Sequence, residues 1–469
     1  MKIYIKRTVT IFLLSMLLFS MPSQAIESIT AGQTLSLEDC VSIALNNSPQ
    51  LKIYENQRDI SKTQVNLAKT DYAPTFGIGT GYNTTYADSN NNDAYSVDVS
   101  VRQLLYNFGK TGAKIKMQKL NLESAEFNME NAIIDTVYNV KMAYYEVLAA
   151  KASKDVCVQN VNINEREFNR TKAFFEEGMK SKIDLVNAEV NLSDAKIQLV
   201  NAENAYQAAL IRLNNSMFVA GAPDYQIKNT ESFNIETPTV EVDLDFVTKV
   251  EDIDALSETA PAKYEMQVEK QDLLTDYVFE PYEISMDDAI KKAYENRPDL
   301  KALTATVGAM EESLKYYKRE YLPELTAKAG YTFREANTYG NNSFNISAGL
   351  DIAALNPFAT KYKIDEAKLQ VELAQNNVEL LKQNIFFEVQ DAYVNMQQIE
   401  KRIPLLATKV RQALENYQLA DGRYEVGLGN FLELQDAKNN YNNAQLSFVQ
   451  AVFQYNTARV KVEKAMGER

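Results

Sequence analysis

The sequence predicts a mainly α-helical protein made of two tandem copies of one unit, each with a rod-length helix and a pair of strands. Three observations carry this. The chain matches itself at a constant offset of 249 residues, and it has only 16 glycines and 11 prolines in 469 residues, so its elements are few and long. Each unit also contains two runs with the alternation of a half-buried strand.

The repeat needs no gap. Asn47-Ser48-Pro49 falls on Asn296-Arg297-Pro298, Tyr72 and Pro74 on Tyr321 and Pro323, and Gly81-Tyr82 on Gly330-Tyr331. The matches continue through Tyr144 with Tyr393, Gly178 with Gly427 and Ala188 with Ala437.

Taken in order, residues 1–25 have the plan of a cleavable secretory signal: Lys2, Lys6 and Arg7, an apolar run from Val9 to Met21, then Ser23-Gln24-Ala25. The first repeat covers 26–221. It opens with a predicted helix from Leu35 to Thr70, followed by strands at 75–86 and 94–105 around a turn-rich loop, Ala87 to Asp93. In the second strand Tyr95, Val97, Val99 and Val101 alternate with Ser96, Asp98, Ser100 and Arg102, the period of one apolar face. A helix over 110–177, a tip at 178–182 and a helix over 183–214 complete the unit.

Residues 222–283 form an inter-repeat segment with sixteen acidic and four basic residues, expected as a solvated belt midway along the rod. The second repeat, 284–469, predicts a helix from Ile284 to Arg319, strands at 325–334 and 343–353, a long helix at 360–425, a tip at 427–430 and a helix at 431–466. A helix of some 65 residues is about 100 Å long at about 1.5 Å per residue. Past each tip a large residue and alanine share the heptad seam. Leu185, Leu192, Leu199, Tyr206 and Leu213 go with Ala188, Ala195, Ala202 and Ala209; Leu434, Tyr441, Phe448, Tyr455 and Val462 go with Ala437, Ala444, Ala451 and Ala458. Alanine at every second seam position lets helix axes approach closely.

Four strands of this length suit a tilted membrane crossing, but four cannot close a barrel. In lipid an open sheet leaves unpaired backbone at both edges, so several chains must pool their strands. Soluble hairpins packed on the helices are the alternative. Trp is absent, so an interfacial girdle must come from Tyr82, Tyr86, Tyr95, Tyr331 and Phe333. Histidine is absent too, which removes the usual general base and most zinc sites. A net charge of −14 argues against nucleic acid as a partner. Cys40 and Cys157 are the only cysteines, read as small buried apolar residues with a disulfide as the other option.

The candidate site is the second tip, Tyr424 to Ala437, where Gly427 and Gly429 break a long helical pattern ahead of Glu433 and Asp436. Its counterpart runs from Phe175 to Ala188, with Gly178, Met179 and Asp184. The first tip has lysines around its acid, whereas the second reads as two acids with no nearby cation.

A leader, two tandem units, two strands per unit before a rod-length helix, a Gly-Met or Gly-Leu tip and an acid just beyond it together resemble the TolC-like outer-membrane factor family, over essentially the whole mature chain. The resemblance implies a homotrimer: four strands per chain build one twelve-stranded barrel in the outer membrane, and long helices form a coiled-coil α-helical barrel across the periplasm. It implies an exit duct for a tripartite efflux pump or type I secretion system, joined through a periplasmic adaptor (membrane fusion) protein to an inner-membrane transporter of RND, ABC or MFS type. No covalent chemistry and no cofactor are implied. Carried over by position, the aperture gate corresponds to Glu433, Asp436, Tyr424 and Asp184, and the adaptor-docking tips to Gly178, Met179, Val426, Gly427 and Leu428. This sequence departs in one place: Gly429 stands where relatives with an arginine lock have that arginine. Three copies of Glu433 and Asp436 around one axis would repel each other and attract cations. The competing reading is a non-conducting coiled-coil structural protein of the cell envelope.

Overall fold

The computed structural model describes residues 29–87, 90–221, 224–228, 281–336, 341–351 and 357–469. The expected leader and most of the acidic segment lie outside the described residues. In the first unit a short strand β1 (Thr34–Leu35) precedes helices α1 (Leu37–Asn47) and α2 (Pro49–Lys69), strands β2 (Thr75–Ala87) and β3 (Asn90–Tyr106), the long helix α3 (Lys110–Glu176) and helix α4 (Lys182–Ser216). After β4 (Gln226–Ile227) the second unit repeats this as α5 (Met286–Asn296), α6 (Pro298–Lys318), β5 (Glu324–Ala336), β6 (Asn341–Asp351), α7 (Pro357–Glu425) and α8 (Phe431–Ala465). Apart from β3 against β6, whose spans differ, and the start of α7, corresponding elements begin and end at the same offset as the sequence repeat.

Two expectations need correction. The opening helix of each unit is two helices, broken at Pro49 and Pro298. Proline has no N–H to continue the preceding ladder but suits the first turn of a new helix. Ser48 seals the first break, its side chain accepting from the Leu51 N–H at 3.2 Å. The first hairpin loop is also shorter than expected. Residues 90–93 belong to β3 and pair with Thr84 through Ala87, so the asparagine run continues the ladder.

The four long strands form one antiparallel sheet in the order β2-β3-β5-β6, leaving β2 and β6 as edges. Its register lines up one apolar face: Phe76, Val101, Ala329 and Ile346 in one row, and Ile78, Val99, Tyr331 and Phe344 in the next. Most of these side chains are exposed, Ile78 at 79 %. Tyr82 and Tyr95 meet at 4.9 Å near the end of this band; the side chain of Tyr86 lies outside the described residues. The opposite face is small and polar, with Gly77, Ser100, Gly330 and Asn345 in one row and Gly79, Asp98, Thr332 and Ser343 in another. A Cβ on Gly77 would lie 3.0 Å from the Ser100 hydroxyl.

The helices form a layer in which α3 packs between the pair α2 and α4 on one side and the pair α6 and α8 on the other, and α7 packs outside α6 and α8. Two shorter helices thus flank each long one, and the layer, like the sheet, has two edges: α2 with α4, and α7. The main core sits where α3, α7, α8 and the short helices α1 and α5 converge, around Tyr144, Leu213, Ile385, Phe448, Tyr455 and Met466. The Tyr144 hydroxyl donates to the Lys228 carbonyl, anchoring the chain beyond β4. Arg297 ties the second unit together by donating to Glu388 and to the Ala465 carbonyl. Cys40 and Cys157 are both buried and free, so no disulfide joins them. Pro404 lies inside α7 and has no N–H to give the carbonyl one turn earlier.

Phe448, 2 % exposed in the main core, sets a test of this packing. Phe448→Ala is expected to cost about 3–5 kcal/mol, read as a lowered thermal unfolding midpoint, whereas alanine at the exposed Leu432 should leave the midpoint nearly unchanged.

Candidate functional site at the helical tips

Both tips close by the same backbone device. Gly178 has φ +77 and Gly427 φ +75, in the left-handed region. At the first tip Met179 N–H donates to the Phe174 carbonyl at 2.8 Å and Gly178 N–H to Phe175 at 2.9 Å. At the second, Leu428 N–H donates to Arg423 at 2.9 Å and Gly427 N–H to Tyr424 at 3.2 Å. This is the glycine-terminated helix end that satisfies the last carbonyls. The turn leaves Met179, Val426 and Leu428 pointing into solvent, Leu428 77 % exposed.

Gly429 sits close to the backbone of the preceding helix end. Its N–H also reaches the Arg423 carbonyl, at 2.8 Å. A Cβ there would lie 3.0 Å from the Tyr424 nitrogen and 3.1 Å from the Arg423 carbonyl carbon. A side chain at this position would therefore need the turn backbone to give by a few tenths of an ångström.

The acids of the sequence-derived gate are in different situations. The Asp184 carboxylate caps its own helix, accepting from the Ser181 hydroxyl at 2.8 Å. Glu433 has its N–H capped by Asn430 at 2.7 Å and its carboxylate paired with Arg423 at 2.8 Å. The expectation that the second tip has no nearby cation is therefore wrong: Arg423 lies ten residues earlier, and the turn folds it back onto Glu433. Asp436 lies on α8 and is exposed. Glu433 and Asp436 are not brought together with Asp184 within one chain, and among the described residues no cluster of three or more acids, cysteines or histidines could hold a metal.

Tyr424 is 1 % exposed. The Lys180 ammonium lies 3.9 Å and the Arg170 guanidinium 5.5 Å from its ring center, and Phe431 meets it edge-on at 6.1 Å. Its hydroxyl is buried without a hydrogen bond. Burial pushes its pKa up, and the Thr171 side chain offsets part of that.

Tyr424 caps a buried ionic network invisible to local sequence reading. Arg170 of α3 bridges Glu167 on its own helix and Asp421 on α7. Burial opposes the Arg170 charge, but Glu167 and Asp421 outweigh it and hold its pKa above the ordinary value. From α8, Lys438 donates to Asn164 of α3 at 2.6 Å and is 2 % exposed. Burial brings the Lys438 pKa down from 10.5 to about 8, with Glu167 and Asp421 opposing and Arg170 assisting. The network clamps both arms of the second tip, α7 through Asp421 and α8 through Lys438, onto the long helix of the first unit. The only local cues were the one-turn spacing of Glu167 and Arg170 and the three- and four-residue spacing of Tyr417, Asp421 and Tyr424; the partners that join them lie in the other unit.

The description "outer membrane efflux protein" belongs to the family whose model matches residues 40–217 and 289–468, one stretch per unit. The probable efflux pump outer membrane protein TtgC of Pseudomonas putida is 21 % identical over 92 % of this chain and 83 % of its own length. The alkaline protease secretion protein AprF of Pseudomonas aeruginosa is 22 % identical over 42 % of each chain. Among solved structures, the CusC channel superposes with a TM-score of 0.73 at 14 % identity, covering 95 % of this chain and 96 % of that one.

The lysine sets a pH test. Below about pH 8 the folded chain holds Lys438 charged in a buried site, and between about 8 and 10.5 it sheds a proton that the unfolded chain keeps. Stability therefore rises with pH across that window, by on the order of 3 kcal/mol. Relative to Lys438→Met, the wild-type unfolding midpoint should climb between pH 8 and 10; parallel curves for the two proteins would contradict it.

Proposed function

The chain belongs to the outer membrane efflux protein family, and on that premise we propose that it is the trimeric exit duct of a tripartite efflux pump or type I secretion system. The observation that carries the trimer is the pair of matching edges. Among the described residues sheet and helical layer both stop unpartnered, at β2 and β6 and at α2 with α4 and α7. Three copies joined edge to edge close both layers at once, as a barrel in the outer membrane and a helical tunnel beyond it, with most of the chain in the periplasm. The exposed apolar face of the sheet then meets lipid, and its small polar face lines the lumen. No helix among the described residues is long and apolar enough to cross a membrane.

The tips face the inner-membrane side in this arrangement. Their exposed Met179, Val426 and Leu428 are the proposed docking points for a periplasmic adaptor, with an inner-membrane transporter of RND, ABC or MFS type behind it. Glu433 and Asp436 of three copies are the proposed aperture ring, each Glu433 moderated by Arg423. Tyr424, held by Arg170 and Lys180, fixes the height of that ring, and Asp184 sets the neighboring tip by capping α4. A non-conducting envelope protein has no feature here in its favor: it leaves the apolar sheet face uncovered.

Two measurements test the reading. In planar bilayers the wild-type channel should be cation-selective and blocked from the tip side by trivalent cations, and Glu433→Gln with Asp436→Asn should relieve the block by an order of magnitude or more; unchanged block would put the constriction elsewhere. For docking, Leu428→Asp and Gly427→Asp should abolish export in cells while a detergent-stable trimer persists, and full export by both variants would count against the tips.

A further inference from the structure

The internal repeat supplies a template for the contact between copies. Within one chain, α3 is flanked by α6 and α8 of the other unit. By the repeat, the counterpart of α3 in the second unit is α7, and the counterparts of α6 and α8 in the first are α2 and α4. Among the described residues α7 has no such flank: it packs along helices of its own unit, and it reaches α3 through side chains near the second tip, such as Asp421 with Arg170.

Burial follows the same correspondence. Val394 and Leu405 on α7 are exposed, and their counterparts Tyr145 and Val156 on α3 are buried. On the opposite edge Ile53 and Ile60 of α2 are exposed, and their counterparts Ala302 and Ala309 of α6 are buried. Surfaces covered once within the chain are thus bare at the equivalent places, and they carry large apolar side chains.

We infer that α7 of one copy docks on α2 and α4 of the next in the register in which α3 holds α6 and α8 within one chain. This rests on the trimer proposed above and adds its residue-level register. Within the chain, Leu120 of α3 lies over Gly308, 3.3 Å from where a Cβ would stand, and Ser124 meets Thr306 at 3.1 Å. The counterparts between copies are Leu369 over Asp59 and Leu373 beside Gln57. The chemistry of the two seams differs. The pairs Lys116 with Glu312, Lys141 with Glu463 and Arg170 with Asp421 tie the seam within the chain. Their counterparts are Asp365 with Thr63, Gln390 with Asn214, and Leu419 with Lys172, none an ion pair. The seam between copies is therefore held by apolar knobs, and the second tip is fastened to its own chain more firmly than to its neighbor.

Cysteine cross-linking of the full-length protein in detergent reads the register. Gln57→Cys with Leu373→Cys, and independently Asp59→Cys with Leu369→Cys, should give a ladder up to covalent trimer on non-reducing gels after mild oxidation. Each single variant should stay monomeric on the gel, and Ser124→Cys with Thr306→Cys should form its bond within one chain. A wild-type protein of trimeric native mass in which neither pair cross-links, or in which Gln57→Cys pairs with a position one helical turn from 373 instead, overturns the register. A monomeric native mass of the wild type overturns the trimer itself, so the two failures are distinguishable.

Discussion

The constraint from which the rest of the molecule follows is the row of unpaired backbone groups on β2 and β6. Each such group left open in hydrocarbon costs several kcal/mol, and one face of the sheet carries an apolar band across all four strands. The edges cannot be satisfied within one chain. Because each strand pair is bracketed by helices of the same unit, the helical layer inherits the same two ends. Closure of the barrel and closure of the tunnel are one event.

Within the chain the two units have divided the labor. The seam that joins them carries the ion pairs, including Lys464 with Asp135 at 2.8 Å and Glu312 held by two lysines. Paired charges of this kind specify a register more than they add stability. The network of Glu167, Arg170, Asp421 and Lys438 is the deepest example, and it lies just behind the second tip. Glycine at 429 supplies no side chain for an arginine lock, and the side chains that tie this tip to the first unit lie behind the turn.

How much of this was legible in the sequence follows the range of the interactions. The tandem repeat, the strands, the rod-length helices and the alanine seams are periodic patterns that local physics enforces, and they are visible from residue types alone. The break at Ser48-Pro49 was equally local and passed unread, because apolar periodicity continues across it while the proline ends the ladder. Residues 90–93 look like turn chemistry, yet a partner strand satisfies their backbone. The tip glycines and acids were found by position; the partners of those acids were not. Arg423 reaches Glu433 only after the turn has reversed the chain, and Arg170 and Lys438 reach theirs only across helices that belong to different units. A contact of that kind leaves no spacing to read.

Pro404 gives the second unit a property its counterpart lacks, since Asp155 occupies the same place in α3. From Pro404 to the end of α7 at Glu425 runs an arm about 30 Å long, and its ladder is one hydrogen bond short at the root. An arm of that length, tilted by about 10° at such a point, carries its far end about 5 Å sideways. The α3 rod beside it has no such fulcrum. The long helix of the second unit thus has one weak point in its backbone ladder where that of the first has none.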